Sequence, residues 1–408
     1  MWVRVFFFSF RFYWYFPAIK PKAEDPPLLI WFQGGPGSTS LIGLFYENGP
    51  IQVNDKLKLE RREFHWAEEY SIVFIDQPVG TGYSYIRTRA SLYSNGYVKD
   101  QRGVVSDMLI FLDQFYLRFP EIRNKDLYIT GESYGGKFVP AYDMDSGDKD
   151  RCQETRPPTE FVFPLKGIAM GNGLSDPVSQ IQVHADQCYY AGVITKAHAD
   201  QMRALQDIAV KEVEAGRFLA ANQYRLGMFD VFRNATGGLN WYDIRKGSVP
   251  NDWTTMELFV NSDPVKDALN VFGPRMATQH AKDTAVLKAM EGDIMRSSVW
   301  MISSLLQQGI KVLIYQGMFD FRDGPAGSHH WVDQLEWPGQ AEFLKTEREL
   351  WKNDMGRLAG YVTQVPGLSR VTILGAGHLA MMDQSKNSLT MISSFIEDKK
   401  LGDPTSED

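Results

Sequence analysis

Only two cysteines, Cys152 and Cys188, occur in 408 residues. That scarcity excludes a dense disulfide framework and leaves either one bridge or two free thiols. A basic surplus is also missing: the formal net charge is −7. Such a surface does not neutralise phosphates, so nucleic acid is excluded as a partner. No apolar run is long enough for a transmembrane helix, which argues against membrane insertion. The aromatic N-terminus, residues 1–17 (MWVRVFFFSFRFYWYFP), is interrupted by Arg11 and precedes no small-residue cleavage site. It reads as a β-strand ending at Pro17 rather than as a signal peptide. Internal repeats and low-complexity tracts are absent as well.

What is present describes a globular chain. Apolar residues make up 44% and charged residues 23%, and aromatics at 13% with 35 glycines suggest a large, turn-rich core around a pocket. The length fits two or three average domains or one enlarged enzyme domain. Buried strands are expected at 26–32 (PPLLIWF), 71–75 (SIVFI), 126–130 (DLYIT), 165–169 (LKGIA), 311–315 (KVLIY) and 370–374 (RVTIL), because each is a short apolar run bounded by turn residues. Residues 98–118 carry Val104, Val105, Met108, Leu109, Phe111, Leu112 and Phe115 at helical spacing. Strands alternating with helices predict an α/β fold with a mainly parallel sheet covered on both faces. From about 176 to 300 the composition turns to Ala, Gln, Glu, Lys and Met without strand patterns. This stretch is expected to be a mostly helical insertion, with a separate domain as the rival reading. The organisation expected is a core half at 1–175, an insertion or cap at 176–300 and a second core half at 301–408. The tail after Lys399 is polar and expected to fray.

The chemistry centres on Gly131-Glu132-Ser133-Tyr134-Gly135. A strand precedes this G-x-S-x-G run and a helix can start at Gly136, the context of a nucleophile elbow in an α/β-hydrolase. A serine hydroxyl needs a positioned base. Of seven histidines, His378 alone follows a strand through a glycine-rich turn (LGAGH). His329 and His330 fall in a polar loop, and His65, His184, His198 and His280 lack a strand-end context. The acid should follow a strand between Ser133 and His378. Asp320, after 311–315, is the choice, and Asp323 is the fallback that sequence does not separate from it. Such an acid fixes the imidazole tautomer. Two backbone donors are expected to form an oxyanion hole: Tyr134, after the nucleophile, and the Gly34-Gly35-Pro36-Gly37 turn. Glu132 is costly to bury alone, and Glu47 lies shortly after the oxyanion turn. If the two meet, one carboxyl is held protonated and can donate to a substrate carboxylate; otherwise they are unrelated surface glutamates.

These segments resemble the serine carboxypeptidase family. The matching runs are residues 31–40 (WFQGGPGSTS), 71–85 (SIVFIDQPVGTGYSY), 128–140 (YITGESYGGKFVP), 167–177 (GIAMGNGLSDP), 312–320 and 375–383, in that order. The run 315–324 (YQGMFDFRDG) looks most like a plant-type serine carboxypeptidase-like branch. The resemblance implies an α/β-hydrolase fold with a helical insertion over the active site, and Ser133, Asp320 and His378 as a triad. It implies Gly35 and Tyr134 as oxyanion donors, and Trp31, Gln33, Glu47 and Glu132 as binders of the substrate's terminal carboxylate. The implied reaction releases C-terminal residues from peptides at acidic pH, without metal or cofactor. The implied setting is the secretory pathway, the vacuole or lysosome, or the extracellular space, as a monomer or homodimer. Asn234-Ala235-Thr236 is a glycosylation sequon in such a setting. Departures from the family are Gln33 for its usual Asn, Ser38 for a frequent cysteine, and Ala380-Met381 for its Val-Pro. A polar run at 142–150 also stands where a helix would continue. Two alternatives share the triad region: an acyltransferase relative, and a non-catalytic binding protein.

Overall fold

The computed structural model describes residues 2–6, 9–86, 96–141, 163–271, 276 and 285–401. Cys152, His280 and the polar run 142–150 lie outside them. The chain forms two compact units, one of Met1–Ala169 and Asp252–Met290, the other of Met170–Asn251 and Glu291–Asp408.

In the first unit the strands are β1 (Trp2–Phe6), β2 (Ser9–Phe16), β3 (Leu28–Phe32), β4 (Ile51–Val53), β5 (Leu59–Arg61), β6 (Ser71–Ile75), β7 (Tyr85–Ile86) and β8 (Leu127–Glu132). The sheet order is β1-β2-β6-β3-β8. β3 runs parallel to β6 and β8, whereas β2 is antiparallel to β1, β6 and β7. Every residue of β3, β6 and β8 is buried. That explains their unbroken apolar runs, since strands covered on both faces have no polar side to show. The aromatic N-terminus supplies two strands rather than one. Helix α1 (Gln101–Arg118) is capped by Asp100, whose carboxylate accepts from Gly103 N at 3.1 Å. It buries the predicted apolar set, and Tyr13 of β2 packs edge-on against Phe111 and Phe115 with centroids 5.4 Å apart. A short α2 (Gly135–Phe138) follows the serine turn.

The chain leaves the first unit within β9 (Leu165–Gly171). In the second unit the strands β10 (Lys311–Gly317), β11 (Glu349–Lys352), β12 (Leu358–Val365) and β13 (Leu368–Ile373) are ordered β10-β13-β12-β11. β10 and β13 are parallel, whereas β12 is antiparallel to both β13 and β11. Among the described residues between β9 and β10 the regular structure is helical. The second unit holds α3 (Pro177–Tyr190), α4 (Lys196–Glu214) and α5 (Phe218–Thr236). The first holds α6 (Thr254–Val260), α7 (Asp263–Ala268) and α8 (Ala285–Met290), and α9 (Val299–Gln307) returns the chain to the second. Asn234 is exposed on α5, and Cys188, buried on α3, has a free thiol raised to about 12 by burial. His329 and His330 belong to a helix, Pro325–Val332, and not to a polar loop. Pro325 opens that helix at its first position, where a missing N–H costs nothing, so the glycine- and proline-rich start misled the reading.

Candidate active site

Ser133 sits at the end of β8 with φ +60°, a left-handed conformation that non-glycine residues seldom adopt. This is the strained strand-to-helix turn expected of a nucleophile elbow. The Gly34–Gly37 turn at the end of β3 packs directly on it. A Cβ on Gly34 would lie 2.4 Å from Tyr134 N and 2.6 Å from Ser133 Cβ, so only glycine fits. Gly35, at φ +117°, lies in the same turn, and Tyr134 is buried.

The parallel register of β3 and β8 pairs Phe32 with Gly131, which carries Gln33 and Glu132 off the two strand ends side by side. The Gln33 amide then joins three other side chains. Its Oε1 accepts from Trp31 Nε1 at 3.0 Å, while its Nε2 donates to Glu132 Oε1 at 2.9 Å and to Glu47 Oε1 at 3.2 Å. All four side chains are at most 5% exposed. Glu47 arrives on a π-helical turn, Gly43–Glu47, whose Gly43 passes over the Trp31 indole. Such turns concentrate at functional sites. Arg62 donates to Gly49 O at 3.0 Å and Phe45 O at 2.5 Å. Burial lowers the Arg62 pKa, and the Glu47 charge opposes that shift. The two glutamates therefore share one donor nitrogen, and the longer Gln33 amide reaches both.

In the second unit Asp320 follows β10 and is fully buried. Its Oδ2 accepts from His378 Nδ1 at 2.7 Å and from Asn172 Nδ2 at 2.8 Å. Its Oδ1 accepts from the backbone N–H groups of Arg322 at 2.8 Å and Asp323 at 3.2 Å. Burial pushes the His378 pKa down, but the Asp320 charge and hydrogen bond outweigh it and the net shift is upward. Asp323 faces elsewhere: its Oδ1 accepts from Gln180 Nε2 at 3.2 Å, and Arg322 lies 3.5 Å from its other oxygen. Of the two acids that sequence left open, Asp320 is the one in contact with the imidazole.

Three supports were not foreseen. Asn172, at φ +43° at the end of β9, holds Asp320 and accepts from Gly317 N at 3.2 Å. It lies inside the motif at 167–177, which offered the only available signal. Tyr242 packs edge-on against the His378 ring at 4.8 Å, and its backbone carbonyl accepts from His378 N at 2.7 Å. Arg245 donates to Gly375 O at 2.6 Å and to Asp383 at 2.9 Å, and Asp383 accepts from Gly377 N at 2.8 Å. These hold the turn that presents His378. Nothing in the local pattern at 240–245 marks that role.

A family model described as serine carboxypeptidase matches residues 9–398. Serine carboxypeptidase-like 50 of Arabidopsis thaliana is 33% identical over 399 residues, covering 96% of this chain and 85% of the relative. The probable serine carboxypeptidase CPVL of Homo sapiens is 32% identical, covering 95% of this chain and 80% of the relative. Among solved structures, the prohormone-processing carboxypeptidase Kex1(delta)p of Saccharomyces cerevisiae superposes with a TM-score of 0.81 at 23% identity, covering 96% of this chain and 87% of that one. That likeness gives the fold, which is of the α/β-hydrolase class.

Proposed function

The chain belongs to the serine carboxypeptidase family, and from that premise we propose that it releases single residues from peptide C-termini through an acyl-enzyme on Ser133. One observation carries the reading: Gln33 joins the buried pair Glu47 and Glu132, and Glu132 immediately precedes Ser133. A peptide's terminal carboxylate and the carbonyl of its last peptide bond are one residue apart, roughly 3.8 Å. A carboxylate held beside residue 132 therefore presents the last peptide bond, and no other, to residue 133.

Ser133 Oγ attacks that carbonyl carbon while its proton passes to His378, and Asp320 stabilises the imidazolium. The amides of Gly35 and Tyr134 receive the oxyanion. The C–N bond breaks as His378 returns the proton to the leaving amine. Water, deprotonated by His378, then cleaves the acyl-enzyme. Trp31, Gln33, Glu47 and Glu132 bind the terminal carboxylate. Two glutamates on one amide nitrogen do not both stay charged beside a bound carboxylate. One carboxyl of the pair then keeps its proton, and its O–H donates to the substrate. Binding therefore weakens as pH rises, whereas turnover needs neutral His378 and rises with pH. The acidic preference is a property of KM, not of kcat. An acidic secretory, vacuolar or lysosomal setting suits that dependence.

The test compares a blocked dipeptide with its C-terminal amide. Hydrolysis of the acid at least about 10-fold faster in kcat/KM, as loss of a charged hydrogen-bond partner demands, supports the reading. Equal rates on both, or Ser133-dependent transfer from a glucose ester to an alcohol without peptide hydrolysis, would replace it with an esterase or acyltransferase.

A further inference from the structure

The run 71–85 matched the family, yet the chemistry above gives Asp76 and its glycine-rich turn no part. Asp76 closes β6 and is 1% exposed. Its Oδ1 accepts from Thr39 Oγ1 at 2.6 Å and from Ser40 N at 3.0 Å, and its Oδ2 accepts from Tyr83 N at 2.9 Å. A Cβ on Gly82 would lie 2.1 Å from Oδ2, so the turn closes onto the carboxylate only because that position is glycine. No lysine or arginine among the described residues forms an ion pair with it. Burial accordingly raises the Asp76 pKa to about 6, against the pull of these three donors.

A carboxylate buried without a lysine or arginine partner among the described residues is a standing cost, and its three bonds show what it organises. Thr39 and Ser40 end the loop that begins at Gln33. Ser40 Oγ donates to Ile75 O at 2.6 Å and accepts from Gln33 N at 3.1 Å. Thr39 Oγ1 also accepts from Leu41 N at 3.2 Å, and Ser38 N donates to Gly34 O at 3.1 Å. Asp76 thus ties the far end of the loop to β6, and Ser40 ties that end back to Gln33. The Gly35 amide and the Gln33 side chain hang between the two ties.

We infer that Asp76 is a positioning residue for the proposed hydrolysis, setting through Thr39 and Ser40 the place of the Gly35 amide and of the Gln33 side chain. The inference rests on the carboxypeptidase reading. It acts on two functions that can be assayed apart. A fluorophosphonate reacting with Ser133 needs the oxyanion donors but carries no terminal carboxylate, whereas peptide hydrolysis needs both.

The test measures fluorophosphonate labelling rates together with kcat and KM on a blocked dipeptide at pH 7.5, where Asp76 is ionised, for wild type, Asp76→Asn and Thr39→Val. An amide at 76 brings an N–H group against one set of donors. It should slow both labelling and kcat by roughly 10- to 100-fold, the range for losing a charge-assisted hydrogen bond, while the final extent of labelling stays near that of wild type. Thr39→Val removes one donor and should act in the same direction by roughly 3- to 10-fold. It decides the matter if Asp76→Asn does not fold. A purely structural Asp76 would lower the melting temperature and the extent of labelling but leave rates per labelled site within about 2-fold of wild type; that outcome overturns the inference. Wild-type protein that neither labels nor hydrolyses the dipeptide would instead overturn the underlying reading.

Discussion

Replacing Asp320 by Asn is a severe test of the acid–base assignment, because the surroundings dictate which way the new amide must turn. Two backbone N–H groups, of Arg322 and Asp323, point at one oxygen of Asp320. The amide oxygen of the variant stays there, since the opposite orientation sets an NH2 against two fixed donors. The NH2 group then faces Asn172 Nδ2 and His378 Nδ1, which lie 2.8 and 2.7 Å from the present Oδ2. To accept from it, His378 must give up its Nδ1 proton and carry the hydrogen on Nε2. The nitrogen required as base is then blocked, and the imidazolium loses its counter-charge. In Ser-His-Asp triads this change costs about 10⁴ in kcat, near 5 kcal/mol of transition-state stabilisation. Steady-state hydrolysis of a blocked dipeptide from pH 4 to 9 measures it. Asp320→Asn should lower kcat by about three to four orders of magnitude with KM nearly unchanged. Asp323→Asn, whose partners are Gln180 and Arg322, should cost less than about 10-fold. A small loss at 320 with an unaltered pH profile, or a larger loss at 323, would refute the assignment.

Further predictions concern the buried carboxyls. Glu132→Gln keeps a donor beside the substrate carboxylate at every pH, so the rise of KM between pH 5 and 8 should flatten. At pH 7.5 the variant should bind a blocked dipeptide at least as well as wild type, and a wild-type pH slope in the variant would contradict the protonated-pair account. Asp76 has its folded pKa raised from 3.8 to about 6, so its protonated form stabilises the fold. That contribution is fully present below the unfolded value and is lost as pH rises through about 6. Two units at 1.36 kcal/mol each make it about 3 kcal/mol. Urea unfolding at pH 4 and pH 7 should show wild type losing about 2 kcal/mol of that relative to Asp76→Asn, and a pH-independent difference would exclude it.

Much of this was legible because the relevant signals are short-range. β3, β6 and β8 announce themselves as unbroken apolar runs, since both faces are covered, and Ser133 is marked by the strand before it and the glycines around it. The edge strand β11 and its inner neighbour β12 carry no such signal. β11 is four residues with a single buried side chain, and β12 interleaves Gly360, Thr363 and Gln364 with its apolar positions. The meeting of Gln33 with Glu132, 99 positions apart, depends on β3 and β8 being parallel neighbours in a fixed register. No local pattern encodes that register. Asp320 and Asp323 are equivalent in sequence because both follow β10, and only the direction of each side chain separates them. Tyr242 lies in the helical stretch far from any strand end, and its place beside His378 is a tertiary fact alone.

The central claim is that Ser133 carries an acyl-enzyme from which one C-terminal residue has departed. Its most direct measurement is quantification of the free amino acid released from a blocked dipeptide at pH 5, by wild type and by Ser133→Ala in parallel. The account predicts release of the last residue alone, one equivalent per blocked product, and none above background in the variant. Release undiminished in Ser133→Ala, or cleavage at internal bonds of a longer peptide with its C-terminal residue left in place, would contradict it.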